Sequence, residues 1–232
     1  MVVLGKKEDY MYKFVTASEV KPYRDVCSEV LWDACAILLE EGISAQFTLV
    51  GSGAKNLVTR DGNAPYDLDY NLEIVKVNDT HLNLNDPRHL KETVRIALNK
   101  AAGQDWFANE QFSSSKDSKS VLTTLLHFRN EPQVIFSFDV AIIMKEDGKT
   151  YRLKHNKNAY GFGCDQYIWN EIPNSANITK KSDKIKKAGR WDLVRERYLD
   201  LKNQYLRNGD RSHPSCVVFV EAVNEIYSKI RR

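Results

Sequence analysis

The sequence has no run approaching the roughly 18–20 apolar residues that cross a bilayer. Its opening stretch, Met1 to Phe14, lacks the long apolar segment of a secretory signal. A cytoplasmic location without membrane contact is the expectation. Cysteine is sparse: Cys27, Cys35, Cys164 and Cys216 form no CxxC pair and stand near no histidine at zinc-ligand spacing, which argues against structural zinc and against a disulfide framework. Cys27 and Cys216 fall on apolar stripes, so both are expected to be buried free thiols. His81, His89, His127, His155 and His213 share no ligand spacing and are read as structural or exposed. There is no internal repeat and no long low-complexity segment, and a net charge of +3 does not announce a nucleic-acid binder. What remains is a 232-residue chain, 42% hydrophobic, able to bury a core as one large domain or two small lobes.

Helical and strand periods divide the chain. Ser18 is placed to cap a helix carrying Tyr23, Cys27, Val30, Leu31, Ala34 and Leu38, which Gly42 stops. Ile43 to Val50 reads as a strand running into a sharp turn at Gly51-Ser52-Gly53. A short helix from Ala54 to Thr59, capped by Ser52, is expected next, followed by a turn at Asp61-Gly62. Tyr66 to Val77 then alternates as a strand and places Asp67 and Asp69 on one face. Asp86-Pro87 opens a helix through Leu90, Val94 and Leu98, and Phe112 to Lys119 reads as a polar loop. Val121 to Phe128 and Gln133 to Met144 are expected to be neighbouring antiparallel strands. Lys149 to His155 is a third, reached through Asp147-Gly148. From about Ile178 the pattern is helical, with stripes at Trp191, Val194, Tyr198, Leu201 and Tyr205 and at Cys216, Phe219, Val220, Val223, Ile226, Tyr227 and Ile230.

Two features belong to phosphoryl chemistry. The glycines at 51 and 53 let backbone amides approach phosphate oxygens, and Ser52 adds a hydroxyl at an expected helix N-terminus, where an anion is favoured. Asp67 and Asp69, two apart on a strand, project side by side and repel unless a hard cation lies between them; magnesium, which takes carboxylate oxygens, waters and phosphates, suits that place. Asp139 sits inside the apolar strand Ile135 to Ile143, where an unpaired carboxylate is unfavourable and a metal accounts for it.

A hydrophobic strand, Gly51-Ser52, a spacer and Asp67-Leu68-Asp69-Tyr70, with Asp139 on a later strand, resembles the signature of the DNA polymerase β nucleotidyltransferase superfamily. The spacer from Ser52 to Asp67 holds fourteen residues, somewhat longer than is usual there. The resemblance covers about Val20 to Lys145 and implies an α+β fold: a mixed or antiparallel sheet flanked by helices as catalytic core, residues 1–156, with a helical lobe, 157–232, closing the nucleotide cleft. It implies transfer of a nucleoside monophosphate from a triphosphate such as ATP to a hydroxyl, with pyrophosphate leaving and two Mg2+ ions (or Mn2+) held by Asp67, Asp69 and Asp139. Asp139 would bind the ion at the acceptor and could take its proton. In the oligoadenylate synthetase-like and cyclic-oligonucleotide synthase-like branches a lysine or serine of the helical lobe contacts the triphosphate. Residues 178–211 hold eleven Lys or Arg against five Asp or Glu. Lys184 is the candidate taken forward from Lys180, Lys181, Lys184, Lys186 and Lys187.

The acceptor stays open: a nucleotide, an RNA end, a protein side chain or a small molecule. The basic C-terminal third leans toward a phosphate-bearing one. A catalytically silent nucleotide- or RNA-binding regulatory module of the same fold is the alternative, and an accidental match in a plain α+β protein a third reading. Plainer roles stand beside the sharp ones: an arginine partner for Asp139, and a solvated helix face over Lys180 to Arg190. Lys55 and Arg60, near the phosphate turn, could screen a triphosphate but are expected to face solvent, and Tyr160-Gly-Phe-Gly163 reads as a loop.

Overall fold

The structure, a computed structural model, describes residues 11–78, 86–157, 165–210 and 213–230. His81, Cys164 and the stretch 160–163 lie outside these. In chain order the elements are β1 Tyr12–Phe14, α1 Ala17–Glu40, β2 Ile43–Leu49, β3 Thr59–Asp61, β4 Tyr66–Val77, α2 Pro87–Ala102, β5 Glu110–Phe112, β6 Lys116–Asp117, β7 Leu122–Phe128, β8 Val134–Glu146, β9 Lys149–Asn156, β10 Gln166–Glu171, α3 Ala176–Lys187, α4 Trp191–Arg207 and α5 Ser215–Ile230. They fall into two compact units, one made of Thr16–Val58 and Pro65–Asn174, the other of Met1–Val15, Thr59–Ala64 and Ser175–Arg232.

The first unit is an eight-stranded sheet running β10-β9-β8-β4-β2, with β7 also on β8, and β5 and β6 on β7. β4 and β8 are parallel and the other pairs antiparallel, so the sheet is mixed and the fold is α+β. Period-two alternation sorts β4: Tyr66, Leu68, Tyr70, Leu72 and Ile74 are buried, while the alternate residues from Asp67 to Glu73 are half-buried or exposed. Phe136, Phe138 and Val140 of β8 join that buried face. Tyr23 of α1 stacks on Phe136 with ring centroids 5.1 Å apart, which seats the helix on the sheet.

Helix α1 is capped two residues ahead of the expected Ser18. Thr16 is the N-cap: its hydroxyl accepts from Glu19 N at 3.2 Å, and Glu19 Oε2 accepts from Thr16 N at 3.1 Å. Helix α2 starts as the sequence implies, Asp86 accepting from His89 N at 3.1 Å with Pro87 next, and Leu90, Val94 and Leu98 are buried. The helix expected over Ala54–Thr59 does not form. A single 3-10 turn, Gly53–Lys55, ends where Asn56 turns left-handed at φ 57°, and Thr59 already belongs to β3. The expected loop from Phe112 to Lys119 contains the end of β5 and all of β6, because its backbone pairs with β7.

His155 is buried at 5% exposure, its Nδ1 2.8 Å from Asp117 and its Nε2 2.8 Å from Asp165. The ring stacks on Tyr167 at 4.2 Å, and the Tyr167 hydroxyl donates to Asp117 at 3.1 Å. Lys91, 3% exposed, lies 2.5 Å from the same carboxylate. One aspartate thus ties α2, β6, β9 and β10 together, and the buried Lys91 ammonium has its opposite charge in the Asp117 carboxylate.

In the second unit α4 and α5 share a core of Val194, Tyr198, Leu201, Val218, Ala222, Val223 and Ile226. Arg197 forks onto Glu225 at 2.7 and 2.9 Å. Buried Asn203 clasps the backbone of β1, accepting from Tyr12 N at 2.7 Å and donating to Tyr12 O at 3.1 Å. Cys27 is buried as expected, but Cys216 is exposed: the buried stripe of α5 runs through Val218, Ala222 and Ile226, two residues out of phase with it. Among the described residues no helix is long and apolar enough to cross a membrane. Replacing Thr16 by Ala is expected to lower the unfolding free energy by about 1 kcal/mol in urea denaturation, whereas Ser18→Ala should change it by less than about 0.5 kcal/mol.

Candidate active site

The register between β4 and β8 decides the site. Asp69 pairs directly with Asp139, and Asp67 with Ser137, so three carboxylates share one face of the sheet. Asp67, Asp69 and Asp139 each offer an oxygen within 4.8 Å of the others. On the far side of β8, Thr123 of β7 lies opposite Asp139 and its hydroxyl donates to Oδ1 at 2.6 Å. Among the described residues this hydroxyl, and no arginine, is the partner of Asp139.

The turn after β2 closes on the same carboxylates. Val50 N donates to Asp69 O at 2.8 Å, and Gly51 follows at φ +60°. A Cβ on Gly51 would lie 2.1 Å from Asp69 Oδ2, so any side chain there displaces the carboxylate. Gly53 is small for another reason: its Cβ would meet Leu68 Cδ2 at 2.8 Å in the core. Ser52 lies in the turn with its hydroxyl uninvolved in capping, while its carbonyl accepts from Lys55 N and Leu57 N. A three-residue 3-10 turn carries no helix dipole of consequence, so an anion here depends on local amides and nearby cations. Lys55, expected to face solvent, donates to Gly51 O at 2.9 Å and braces the turn.

Burial pushes the Asp69 carboxyl up to about 6, and the charges of Asp67 and Asp139 add to it, while Arg152 and Lys55 oppose the rise. Asp139 is also raised, by burial and by Asp67, against the Thr123 hydrogen bond. Three mutually repelling acids with this clearance form the donor set that a hard divalent cation takes, and they fit Mg2+ or Mn2+.

Of the residues singled out in the sequence, the structure brings together Asp67, Asp69, Asp139 and Gly51. Ser52 lies beside them in the turn. Lys184 belongs to the second unit, where its ammonium lies 3.4 Å from the Tyr227 hydroxyl. Two contributors are not evident as such in the sequence: Thr123 and Arg152. Arg152 has a usable signal. Asp147 and Gly148 both take positive φ, the two-residue hairpin turn that Asp-Gly favours, which fixes Ile143 opposite Arg152 and so puts Arg152 on the carboxylate face.

Ionising Asp69 is uphill in the folded chain, because its carboxyl lies above the ordinary 3.8. The metal-free protein therefore loses stability as pH rises from near 4 through 6, where the folded state holds the extra proton. Asp69→Asn is expected to raise the metal-free melting temperature at about pH 7.5 by roughly 3–6 °C and to flatten that slope, both readable by calorimetry. Gly51→Ala should lower it and weaken divalent-cation binding.

No protein-family model and no curated protein sequence matches the chain. Solved structures do. The CD-NTase CdnG of Bradyrhizobium diazoefficiens in complex with GTP is similar with a TM-score of 0.52 at 15% identity, over 90% of this chain and 64% of that one. Vibrio cholerae DncV in its 3′-deoxy-ATP-bound form gives 0.51 at 14% identity, over 91% and 52%. E. coli MS115-1 CdnC with ATP gives 0.50 at 14% identity, over 93% and 62%. This chain spans between half and two thirds of the length of those structures. Their enzymes belong to the polymerase β-like nucleotidyltransferase superfamily, and the chain has the fold of that superfamily.

Proposed function

We propose that the chain is a magnesium-dependent nucleotidyltransferase that moves a nucleoside monophosphate from a triphosphate to a hydroxyl acceptor. The observation that carries this reading is the cluster Asp67, Asp69 and Asp139 with Gly51 held against Asp69. The nucleotides bound in the similar structures, GTP and ATP, support a triphosphate as donor, and such a substrate agrees with a cytoplasmic setting.

Magnesium held by the three carboxylates would neutralise charge on the triphosphate and on the attacking oxygen. The chain's residues do the rest. Gly51 and Ser52 seat the phosphates on backbone amides, with Lys55 fixing the turn. Asp139, oriented by Thr123, faces the acceptor and takes its proton as the acceptor oxygen bonds to the α-phosphorus; the bond to the bridging oxygen breaks and pyrophosphate leaves. Lys184 is proposed as the cation for the triphosphate tail, on the strength of the basic run alone.

The test is pyrophosphate release from each of the four ribonucleoside triphosphates with Mg2+ or Mn2+. Asp67→Ala, Asp69→Ala and Asp139→Ala should each lower it by about 10³-fold or more. Thr123→Val should lower kcat with little change in donor KM, and Lys184→Ala should raise donor KM several-fold. Release unaffected by the carboxylate variants would sink the reading. Magnesium-dependent triphosphate binding without release, with every acceptor tried, would favour the silent regulatory module.

A further inference from the structure

A cavity of about 210 Å³ lies in the first unit, between α2 and the strands β6, β7 and β10. Its floor is Leu122 of β7, which pairs with the buried Val140 on the helix-covered face of the sheet, whereas the next residue, Thr123, donates to Asp139 on the opposite face. The sheet therefore separates this cavity from the three carboxylates. Its volume is below the roughly 300–1,000 Å³ of drug-sized ligand sites, so it suits a small ligand and not a nucleoside triphosphate.

The helical wall is rich in cations. Arg88, Lys91, Glu92 and Arg95 stand at positions i, i+3, i+4 and i+7, one face of α2. Lys91 lies 2.5 Å from Asp117, and Arg95 forks onto Glu92 through Nε at 2.8 Å and Nη2 at 2.5 Å. That fork leaves Arg95 Nη1 without a hydrogen bond among the described residues, on a side chain 30% exposed. Arg88 is exposed and enters no ion pair among the described residues; its guanidinium lies 5.8 Å from the centroid of the Tyr167 ring. Burial lowers the Lys91 ammonium below the usual lysine range and Lys157 adds to the fall, although Asp117 opposes it. Three cations thus border the cavity against two acids, Glu92 and Asp117, and it is short of negative charge.

The placement of the cations selects the anion. A carboxylate offers two oxygens in one plane and is satisfied by a single fork. Cations spread over two turns of helix, with guanidinium N–H groups open on two of them, suit an anion that presents oxygens in several directions, as phosphate does. We propose that this cavity binds a phosphate group, free or carried by a small monoester, through Arg88 and Arg95 with the charge of Lys91 in support. The site stands independently of the nucleotidyltransferase reading.

The experiment titrates the full chain, freed of metal, with inorganic phosphate, ribose 5-phosphate and acetate by calorimetry at one ionic strength. Without a cation the three carboxylates repel anions, so the active site does not contribute. One saturable site is expected for phosphate or ribose 5-phosphate, tighter than acetate by about tenfold or more. Tighter binding of the ester names a monoester as the ligand, and tighter binding of the free ion names phosphate itself. Arg88→Gln and Arg95→Gln should each weaken binding about tenfold, and Arg88→Lys should restore part of the loss. Glu92→Gln, which releases the Arg95 fork, should tighten binding about threefold. Ligand-free melting temperatures within about 2 °C of the wild type show that the variants fold. Absence of saturable binding, or acetate bound as tightly as phosphate, overturns the inference. Binding that Lys184→Ala removes and Arg88→Gln leaves intact overturns it too, by placing the anion on the basic run of the second unit.

Discussion

The parallel pairing of β4 with β8 forces like charges together. Two carboxylates on one strand separate by rotating a side chain, but a third supplied from the neighbouring strand at the same level closes that escape. The sheet can impose this because the opposite face of both strands is fully apolar, with Leu68, Tyr70, Phe136, Phe138 and Val140 all buried. A one-residue slip of either strand would turn its acids into that core and its aromatic rings into solvent. Hydrophobic register thus holds an electrostatically unfavourable arrangement, and the raised Asp69 and Asp139 carboxyls are its signature.

The surroundings are arranged to limit repulsion without removing it. Thr123 stabilises one oxygen of Asp139, while the charges of Lys55 and Arg152 ease the load on Asp69. Arg152 acts at a distance, without an ion pair to the acids, so the carboxylates keep lone pairs for a cation. A direct Arg-Asp bridge would have quieted the site electrostatically and occupied it chemically. The same chain shows the contrast around Asp117, where the Lys91 ammonium lies directly on the carboxylate and the hydrogen-bonded network with Tyr167 and His155 fastens secondary structure together.

Much of this arrangement is legible in the amino-acid order alone. Alternation sets the bounds of β4 and puts Asp67 and Asp69 on one face, and Asp139 stands out as an acid in an apolar strand. Gly51 is recognisable as a place of close approach, though not that the approaching group is Asp69 itself. Periodicity tells which face a residue occupies but not which strand lies beside it. Thr123 therefore looks like one more β-branched residue, and the two-residue β6 has no period to read. The helix expected after Ser52 fails on a single residue, since Asn56 accepts a left-handed backbone that stops the turn after three residues. Ser18 loses the cap to Thr16 because only Thr16 has a glutamate three positions on to complete the reciprocal pair.

The second unit is assembled from pieces distant along the chain. β1 pairs with β3, and its backbone is clasped by Asn203 of α4. A ribosome makes β1 ahead of the whole sheet of the first unit, and α4 and α5 only after it. The first unit can thus gather its core while synthesis continues, whereas β1, although β3 follows it early, has no partner for the Tyr12 amide and carbonyl until α4 brings Asn203. Completion of the second unit is a record that the chain has been translated as far as α5.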